Sequence, residues 1–384
     1  MAATGGRAIV TLHFVTPEYP PMLGGVADHT HQIATALARQ GETVHVWGPA
    51  GSAAQQDCGV TVHPILGRFS ASNLRRAGEQ LDRFPQPRRL IVQWVPHGYG
   101  YRAMNLSFCF WLWRRSVSGD SIDLIVHEPF VTFSGSVAQH ALAVAQRAMT
   151  LLLLSAARRV WVTTHAWTPL LEPFLADANT PIRWLPVPSN LGAVDPGGID
   201  RVRARYASGK QPLIGHFGTY GALVTPLLSE AIVSLSDRDA RAHFLLIGSG
   251  SDAFRTEFAA QHGALADRVS ATGTVDANTL PAHIGACDVL MQPYPDGVTS
   301  RRTTAMAGLL AGVPVVTTAG ALTEQFWNEQ LPVRLAPVRD ARALADHVLQ
   351  LLADPAERRR QGEAGREFYD RWFDVRHTLA ALAG

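Results

Sequence analysis

Residues 289–317, VLMQPYPDGVTSRRTTAMAGLLAGVPVVT, contain two apolar runs of strand length separated by a segment with the spacing of a helix. The runs Val289–Gln292 and Val313–Thr317 have the apolar, β-branched composition of buried parallel strands. The segment Arg302–Ala311 between them is expected to form the helix that connects two such strands. This stretch therefore predicts an open α/β sheet at this point in the chain.

The same alternation of apolar runs and helix-length segments continues before this stretch. Strands are expected at Ala8–Val15, Thr43–Trp47, Leu90–Trp94, Asp123–Val126 and Arg159–Thr163, and again at Pro212–His216, His243–Ile247 and Val269–Ala271. A Pro/Gly-rich connector, Pro186–Gly198, separates the two runs, and the chain from Ala341 onward is helical without a strand. The pattern predicts two doubly wound, Rossmann-like α/β domains, residues 1–190 and 191–365.

The composition is that of a folded protein with large hydrophobic cores: 384 residues, of which 47% are hydrophobic and 17% charged. Dominant disorder is excluded, because disordered chains combine low hydrophobicity with high net charge. The 34 basic and 32 acidic residues leave a formal net charge of +2, which argues against a dedicated nucleic-acid binder. The three cysteines, Cys58, Cys109 and Cys287, are isolated and indicate neither a disulfide framework nor a zinc site.

The sequence favours a cytoplasmic chain. Residues 8–15 are apolar but too short for a secretory signal, and the apolar stretch Ala141–Val162 is interrupted by polar and basic residues, so it is not expected to span a membrane. The aromatic stretch Phe108–Trp113 has two interpretations, a buried helix or a surface that contacts a membrane or an acceptor. The neighbouring Arg114 and Arg115 keep a peripheral contact with the inner face of the membrane open.

Ligands of open α/β sheets bind beyond the carboxyl ends of the strands, so the loops there are the candidate sites. The densest of these loops is Pro293–Thr304, which leads into the N-terminus of a helix. Backbone N–H groups, the helix dipole and guanidinium groups at such a place suit a diphosphate. The alternative is a solvated capping loop with surface arginines. The candidate residues in this loop are Asp296, Val298, Thr299, Ser300, Arg301, Arg302 and Thr304.

Three further loops that follow predicted strands carry candidate residues. Gly24–Gly25 opens the first helix and suits an anion, although a tight turn explains it equally well. Gly248–Ser249 is a second Gly-rich turn, of a kind that is also common in linkers. His127–Glu128 offers a hydrogen-bonding or proton-accepting group to a sugar or acyl group, or else contains an ordinary loop histidine. The G-x-G-x-x-G dinucleotide fingerprint is absent, which discourages a nicotinamide dehydrogenase.

Taken together, these loops make the chain resemble the family 4 glycosyltransferases, nucleotide-sugar-dependent enzymes of the GT-B fold. The likeness covers nearly the whole chain, because six segments follow one another in the family's order. They are the Pro-x-x-x-Gly-Gly loop, the strand-end histidine, the turn at Gly248, Gly273–Val275, Cys287–Val289 and Met306–Val316. It implies two Rossmann-like domains facing a cleft, with the acceptor bound mainly by the N-terminal domain and a nucleoside-diphosphate sugar mainly by the C-terminal domain. It also implies that a C-terminal helix, about 366–384, crosses back to the N-terminal domain.

The chain departs from the family's pattern at two places. The family's signature is a carboxylate followed, after seven residues, by a glutamate. Here Asp296 takes the first position, where it is expected to hydrogen-bond donor-sugar hydroxyls, while Thr304 takes the second and cannot bind a ribose as a carboxylate does. Family members also carry an Arg and a Lys after the first strand of the second domain, whereas His216–Gly221 contains neither. We expect Arg301 or Arg302 to replace this diphosphate clamp.

The resemblance implies a retaining glycosyltransferase that moves a sugar from a nucleoside diphosphate to an acceptor hydroxyl, without a metal ion or another cofactor. His127 is expected to contact the sugar or the acceptor, and Glu128, His97 and Tyr99 lie on the expected acceptor side. Contacts with the donor are expected from Gly24, Gly25, Gly218, Thr219, Gly248, Ser249, Val275, Val298, Thr299, Ser300, Arg301, Arg302 and Thr304. The alternatives are a sugar-nucleotide-binding protein without transfer activity and a GT-B epimerase. The sugar, the base, the oligomeric state and the acceptor (a polysaccharide, a lipid-linked sugar or a natural product) stay open.

Overall fold

The computed structural model of the chain describes residues 11–383 except 23, 52–55, 134, 176, 178–179, 208 and 210. The contacts divide the chain into two compact units. Unit 1 comprises Met1–Pro186 together with Thr378–Gly384, and unit 2 comprises Val187–His377. Each unit is built on its own sheet, so each is described separately.

The sheet of unit 1 has eight strands in the order β3-β4-β2-β1-β5-β6-β7-β8, and all neighbours are parallel except the β3–β4 hairpin. The strands are β1 Thr11–Val15, β2 Thr43–Trp47, β3 Gln56–Asp57, β4 Val60–His63, β5 Arg89–Trp94, β6 Ser121–Val126, β7 Ala157–Val162 and β8 Ile182–Trp184. The connecting helices are α1 Gly25–Arg39, α2 Ala71–Leu81, α3 Leu106–Val117, α4 Val137–Ala156 and α5 Thr168–Leu171. The central strands are almost wholly buried, as expected of parallel strands covered on both faces.

The sheet of unit 2 has six parallel strands in the order β11-β10-β9-β12-β13-β14. They are β9 Leu213–Phe217, β10 His243–Ile247, β11 Val269–Ala271, β12 Val289–Gln292, β13 Val315–Ala319 and β14 Arg334–Pro337. The helices are α6 Pro196–Tyr206, α7 Thr225–Ser236, α8 Ser251–Gln261, α9 Leu280–Gly285, α10 Thr303–Leu310, α11 Gln325–Gln330, α12 Ala341–Ala353 and α13 Pro355–Trp372. The last helix of the chain is α14, Val375–Ala383.

The strand orders place one topological switch point in each sheet. In unit 1 the chain runs outward in opposite directions from the neighbouring strands β1 and β5, and in unit 2 it does so from β9 and β12. Loops that follow two such strands diverge and leave a crevice at the carboxyl edge of the sheet, which is where open α/β proteins bind their ligands. These two crevices are therefore the places where function is expected.

The domain boundary differs from the predicted one at the C-terminal end. We expected residues from about 366 onward to join the N-terminal domain, but α13 lies in unit 2. The reason is close helix packing, since a Cβ atom at Gly365 would lie 2.9 Å from Leu309 Cδ2 and one at Gly362 would lie 2.1 Å from Gly312 O. Only the residues from Thr378 onward group with unit 1, where the Thr378 hydroxyl donates to Pro186 O at 3.4 Å.

The expected connector Pro186–Gly198 is shorter than predicted, because α6 begins inside it with a proline in its first turn and Asp195 as its N-cap. The first expected strand is described from Thr11, and Ala8–Val10 lie outside the described residues. The strand expected at Val313–Thr317 begins at Val315 instead.

Helix α4 covers only part of the apolar stretch Ala141–Val162. The helix ends at Ala156, and the arginines at 158 and 159 lie in β7. Among the described residues, α4 is the one helix that is long and apolar enough to cross a membrane by length and composition alone. One third of that apolar window, 33%, is buried inside the protein.

Candidate functional site

The crevice of unit 2 forms a pocket of about 240 Å³ at the carboxyl ends of β9 and β12. It is bordered by the loop after β9, by the end of β12 and by the start of α10. The described residues that line it are His216, Phe217, Gly218, Thr219, Tyr220, Gly221, Val224, Gln292, Tyr294, Arg301, Arg302, Thr303 and Thr304. The structure thus brings the loop that lacks a basic residue together with the two arginines expected to compensate for it.

Two glycines let the loops after β9 and β10 pack directly against each other. Gly248 has a φ of 112°, and a Cβ atom there would lie 2.4 Å from Gly218 O. Gly250 has a φ of 88°, and a Cβ atom there would lie 3.0 Å from Thr219 O. Both positions need glycine because the backbone is left-handed and because the space is filled. The predicted residues Gly218, Thr219 and Gly248 are therefore neighbours in the fold.

The positive charge of the pocket comes from its arginines. The Arg302 guanidinium lies over the ring of Tyr294, 4.7 Å from its centroid, and 3.8 Å from Asp296 Oδ2. A cation stacked on an aromatic face keeps a defined direction while its outer edge can still bind an anion. The predicted Asp296 side chain is half-exposed beside the pocket, and the predicted Ser249 and Val275 are not among the described residues that line it.

Thr304, at the position of the family's second carboxylate, is held by the protein itself. Its hydroxyl lies 2.7 Å from the hydroxyl of the buried Tyr294. Burial raises the pKa of Tyr294, so its hydroxyl keeps its proton at neutral pH. Thr304 therefore forms part of a Tyr–Thr pair on the wall of the pocket.

His216 is a buried, neutral histidine at the floor of this pocket. Its Nδ1 lies 2.9 Å from Met291 O, and because a carbonyl oxygen only accepts, Nδ1 carries the proton. Burial lowers the pKa of His216 to about 4. Its Nε2 lies on the side of Gly218, where a Cβ atom would be 3.2 Å away.

The depressed pKa of His216 predicts a loss of stability in mild acid. The unfolded chain takes up a proton at this residue near pH 6.5, whereas the folded chain resists until about pH 4, so stability falls as the pH drops from 6.5 toward 4. Between pH 7 and pH 5 the loss is about 2 kcal/mol for this one group. Urea unfolding at pH 7 and pH 5 measures this loss. The free energy of unfolding should fall between the two pH values by about 2 kcal/mol less in His216→Gln than in the unchanged chain. An equal pH dependence in the two proteins would contradict the prediction.

The loop from Val298 to Ser300 is tied to the rest of unit 2 by its own backbone. The Val298 N–H donates to Thr318 O at 2.8 Å, and the Ser300 N–H donates to both carboxylate oxygens of Glu324 at 3.1 and 3.2 Å. The Ser300 hydroxyl also donates to this carboxylate. The expectation that the backbone groups of Val298 and Ser300 bind a diphosphate is therefore corrected, because these donors are used inside the fold. Thr299 and its two neighbours are fully buried.

Glu324 itself is buried next to α11. In addition to Ser300, its carboxylate accepts the indole N–H of Trp327 at 2.9 Å. A carboxylate that receives several hydrogen bonds is a strong anchor for a loop, since charged acceptors form the stronger hydrogen bonds. Glu324 thus fixes the segment that immediately precedes Arg301 and Arg302.

In unit 1 the N-terminus of α1 is occupied by a side chain of the protein. The Glu18 carboxylate lies so close to Gly24 that a Cβ atom there would be 1.7 Å from Glu18 Oε2, and it accepts a hydrogen bond from the backbone of Ala27. Burial raises the pKa of Glu18. The predicted diphosphate position at Gly24 and Gly25 therefore holds a carboxylate in this structure, which the helix dipole favours in the same way.

His127 lies at the carboxyl end of β6 and is oriented by a buried glutamine. Its Nε2 is 2.7 Å from Gln93 Oε1, so Nε2 carries the proton. The ring also contacts that of His29 edge-on, with centroids 5.0 Å apart. His29 is buried, and burial lowers its pKa to about 4, so it stays neutral at physiological pH. The two rings and the glutamine form a neutral polar cluster near the crevice of unit 1.

Of the other predicted acceptor residues of unit 1, two are accessible and one is buried in the core. His97 and Glu128 are both accessible and pair across 3.5 Å, and the hydrogen bond that His97 donates to the Glu128 carboxylate raises the pKa of His97. Tyr99 is fully buried, its hydroxyl donates to Gln93 O at 2.6 Å, and its ring stacks on Phe108 at 4.5 Å. The expectation that Tyr99 contacts an acceptor is therefore corrected, because its ring and hydroxyl belong to the core.

Among the described residues, one group of side chains has the composition of a metal site. His31, Asp57 and Cys58 place one potential ligand atom each within 4.8 Å of one another. They lie at α1 and the β3–β4 hairpin on the edge of the sheet, away from the switch point between β1 and β5. The group already has internal bonds, since Asp57 Oδ2 is 3.1 Å from His31 Nε2 and accepts the Tyr19 hydroxyl at 3.1 Å.

The pocket of unit 2 lies inside a segment with recognisable sequence relatives. Residues 212–354 match the family model described as Glycosyl transferases group 1. The chain is 29% identical over 192 residues to 2-deoxystreptamine glucosyltransferase of Streptomyces kanamyceticus. That alignment covers 49% of this chain and 49% of the relative, so the chain matches about half of the relative's length.

The fold resemblance extends over the whole chain. Sucrose-phosphate synthase from Thermosynechococcus elongatus superimposes with a TM-score of 0.74 at 19% identity, over 97% of each chain. Anabaena Alr3699/HepE, solved in complex with UDP-glucose, superimposes with a TM-score of 0.69 at 16% identity, over 97% of this chain and 98% of the other. The chain has the GT-B fold. The expected pair of Rossmann-like domains is confirmed, and the GT-B fold together with the match over unit 2 supports a glycosyltransferase.

Several polar residues of the two crevices were not predicted as site residues, among them Gln292, Glu18, Gln93 and Glu324. Gln292 had a recognisable signal, because it is the polar end of an otherwise apolar strand. Glu18 stands in the first loop, but the sequence does not show that its carboxylate lies against Gly24, because this contact depends on the path of the loop. Gln93 and Glu324 carry no local signal, since their partners His127 and Ser300 are distant in sequence.

Proposed function

We propose that this chain is a retaining glycosyltransferase that moves a sugar from a nucleoside diphosphate to an acceptor hydroxyl. The observation that carries the proposal is the pocket at the β9–β12 switch point, which holds both Arg301 and Arg302 beside a Gly-rich loop. Two guanidinium groups match the charge and the planar oxygen pairs of a diphosphate. The match of residues 212–354 to group 1 glycosyl transferases supports the same assignment.

The names of similar proteins support a uridine nucleotide and a glucosyl group as the first donor to test. HepE of Anabaena was solved with UDP-glucose, and the relative from Streptomyces kanamyceticus is a glucosyltransferase whose name gives 2-deoxystreptamine as its substrate. An aminocyclitol of this kind is a polyol and supplies the acceptor hydroxyl that the proposed reaction needs. UDP-glucose and 2-deoxystreptamine are therefore the first pair to be tested.

In the proposed reaction the protein's main task is electrostatic. As the bond between the sugar and the diphosphate breaks, negative charge grows on the leaving oxygen, and preorganised positive groups lower the energy of this state. Arg301 and Arg302 supply that charge, so the proposed reaction needs no metal ion. Asp296, half-exposed beside Arg302, is proposed to orient hydroxyls of the transferred sugar. The leaving phosphate oxygen takes the proton of the acceptor hydroxyl.

Unit 1 is proposed to bind the acceptor through its neutral polar cluster. His127 is held by Gln93 with its proton on Nε2, and the buried His29 keeps the neighbouring ring uncharged. A neutral imidazole can orient a hydroxyl or an amine by hydrogen bonding. His97 and Glu128 add an accessible imidazole–carboxylate pair that suits a polyhydroxylated or amino-bearing acceptor.

The test measures nucleoside diphosphate release and product formation with UDP-glucose, with and without 2-deoxystreptamine. A second measurement records the thermal stability of the protein with UDP-, GDP-, ADP- and dTDP-sugars to find the donor that binds. A donor at 100 times its Kd adds about 2.7 kcal/mol to the stability of the protein. Acceptor-dependent release with an α-linked product supports the proposal. Binding without release would identify a silent sugar-nucleotide-binding protein, and release of free nucleotide without an acceptor would identify an epimerase.

We further propose that the exposed surface of α3 and α4 contacts an anionic lipid surface at the inner face of the cytoplasmic membrane. Residues 129–171 contain no Asp or Glu, and α3 contains none either. On this part of unit 1 Phe110 and Trp113 are exposed and stacked, and Val137 is 87% exposed. Of the two neighbouring arginines of α3, Arg114 is exposed, whereas Arg115 is buried in ion pairs. Exposed apolar side chains beside an exposed basic residue are typical of surfaces that bind anionic membranes.

Sedimentation with vesicles tests this contact. The chain should bind vesicles of phosphatidylglycerol and phosphatidylcholine and not vesicles of phosphatidylcholine alone. The double variant Phe110→Ser/Trp113→Ser should bind at least tenfold more weakly, whereas Leu223→Ser, which removes an exposed leucine of unit 2, should bind as the unchanged chain does. Binding that ignores lipid charge, or a dimer that the double variant dissociates, would show that the surface has another occupant.

A further inference from the structure

Gln292 is a buried amide at the floor of the unit 2 pocket. It is the last residue of β12, it is fully buried, and it lines the pocket together with Arg301 and Arg302. Its backbone oxygen accepts a hydrogen bond from the Thr317 hydroxyl at 2.6 Å, which fixes the main chain at this point. Among the described residues, neither its side-chain Oε1 nor its Nε2 has a hydrogen-bond partner.

A buried amide without hydrogen-bond partners lowers the stability of the folded state. Both of its polar atoms lose their hydrogen bonds to water and gain none from the protein, so the folded state is destabilised. The preceding strand residues, Val289, Leu290 and Met291, are apolar and buried, and an apolar side chain of similar size would suit this position better. A polar group kept at such a place in a pocket indicates a ligand that completes its hydrogen bonds.

We infer that Gln292 binds a pair of neighbouring hydroxyl groups of the bound nucleotide sugar, with Oε1 accepting from one hydroxyl and Nε2 donating to the other. This inference rests on the proposed function. A vicinal diol is the complement of an amide, because a hydroxyl both donates and accepts. A diphosphate alone would satisfy only Nε2, since ionised phosphate oxygens only accept, and the arginines already provide donors for them.

Thr304 stands where a carboxylate would bind hydroxyl groups, so these hydroxyl groups need another hydrogen-bonding partner in this pocket, such as the Gln292 amide. The Thr304 hydroxyl is engaged with that of Tyr294, so this wall offers a weaker hydrogen-bonding partner than a carboxylate would. Gln292 lines the same pocket and presents both a donor and an acceptor. The vicinal hydroxyls of a nucleotide sugar belong either to the ribose or to the transferred sugar, and both groups have the same hydrogen-bonding chemistry.

The experiment compares the unchanged chain with Gln292→Leu by calorimetric titration with UDP, 2′-deoxy-UDP and UDP-glucose, and by thermal unfolding without ligand. The variant should melt at the same or a higher temperature, and it should bind a hydroxyl-bearing ligand at least tenfold more weakly. If Gln292 contacts the ribose, the unchanged chain prefers UDP to 2′-deoxy-UDP and the variant does not. If it contacts the transferred sugar, the variant binds UDP normally and loses affinity for UDP-glucose.

Gln361→Leu is the matched control. Gln361 is also buried in unit 2, but its Nε2 donates to Leu331 O at 3.1 Å. This variant should melt at a lower temperature and bind the three ligands normally. Unchanged affinities in Gln292→Leu, or a lower melting temperature with no loss of affinity, overturn the inference. If the unchanged chain binds no nucleoside diphosphate or nucleotide sugar with any base, the proposed function itself fails, and the inference falls with it.

Discussion

The double variant Arg301→Ala/Arg302→Ala should lose about 10³-fold in kcat/KM with its nucleotide-sugar donor. Both side chains line the pocket at the β9–β12 switch point, and the loop 216–221 opposite them has no Arg or Lys. A hydrogen bond to a charged group contributes about 1.5–3 kcal/mol, so each single variant should lose roughly 10- to 150-fold. Steady-state kinetics and donor titration of the three variants check this.

The controls separate charge from packing. Arg302 also packs over Tyr294, so Arg301→Lys and Arg302→Lys should keep part of the donor affinity if charge is what matters. Arg241→Ala removes an exposed arginine of the same unit that pairs with Asp239, and it should leave donor binding unchanged. If neither single alanine variant changes donor affinity, the arginines do not replace the missing clamp.

The central strands of this fold could be predicted from the sequence. Strands β10 and β12 were expected at His243–Ile247 and Val289–Gln292, and they have these bounds in the structure. Parallel strands buried on both faces are contiguous apolar runs that end at turn residues, so the signal is local. The strands β3, β4, β8 and β14, which lie at or next to the sheet edges, were missed, because their two to four residues form no clear apolar run.

The candidate site was predictable only in part for a related reason. Arg301 and Arg302 could be found because they stand in a loop between a strand and a helix, where function is expected. The hydrogen bonds that occupy the N–H groups of Val298 and Ser300 come from Thr318 and Glu324, which are brought close only by the folded sheet. A sequence shows which donors exist, whereas the fold decides which of them are already used.

Replacing Glu324 by alanine should destabilise the protein by about 3–5 kcal/mol. Its carboxylate accepts two N–H groups, those of Ser300 and Trp327, and the Ser300 hydroxyl, all of them buried. Each buried donor left without an acceptor costs about 1–3 kcal/mol, and the removed side chain leaves a cavity. Urea unfolding followed by fluorescence measures the loss. Because Ser300 immediately precedes Arg301, donor affinity should fall as well.

The conservative variant shows whether hydrogen bonding or volume is responsible. Glu324→Gln keeps the size of the side chain but replaces one accepting oxygen with an NH2 group, which would face a donor from Ser300 or Trp327. It should therefore be destabilised by about 2 kcal/mol or more although no cavity forms. Glu329→Ala, which removes an exposed carboxylate from helix α11 immediately after Glu324, should change stability little. A Glu324→Gln variant as stable as the unchanged chain would mean that the loop carrying the two arginines is held by packing, and that donor binding does not depend on this buried carboxylate.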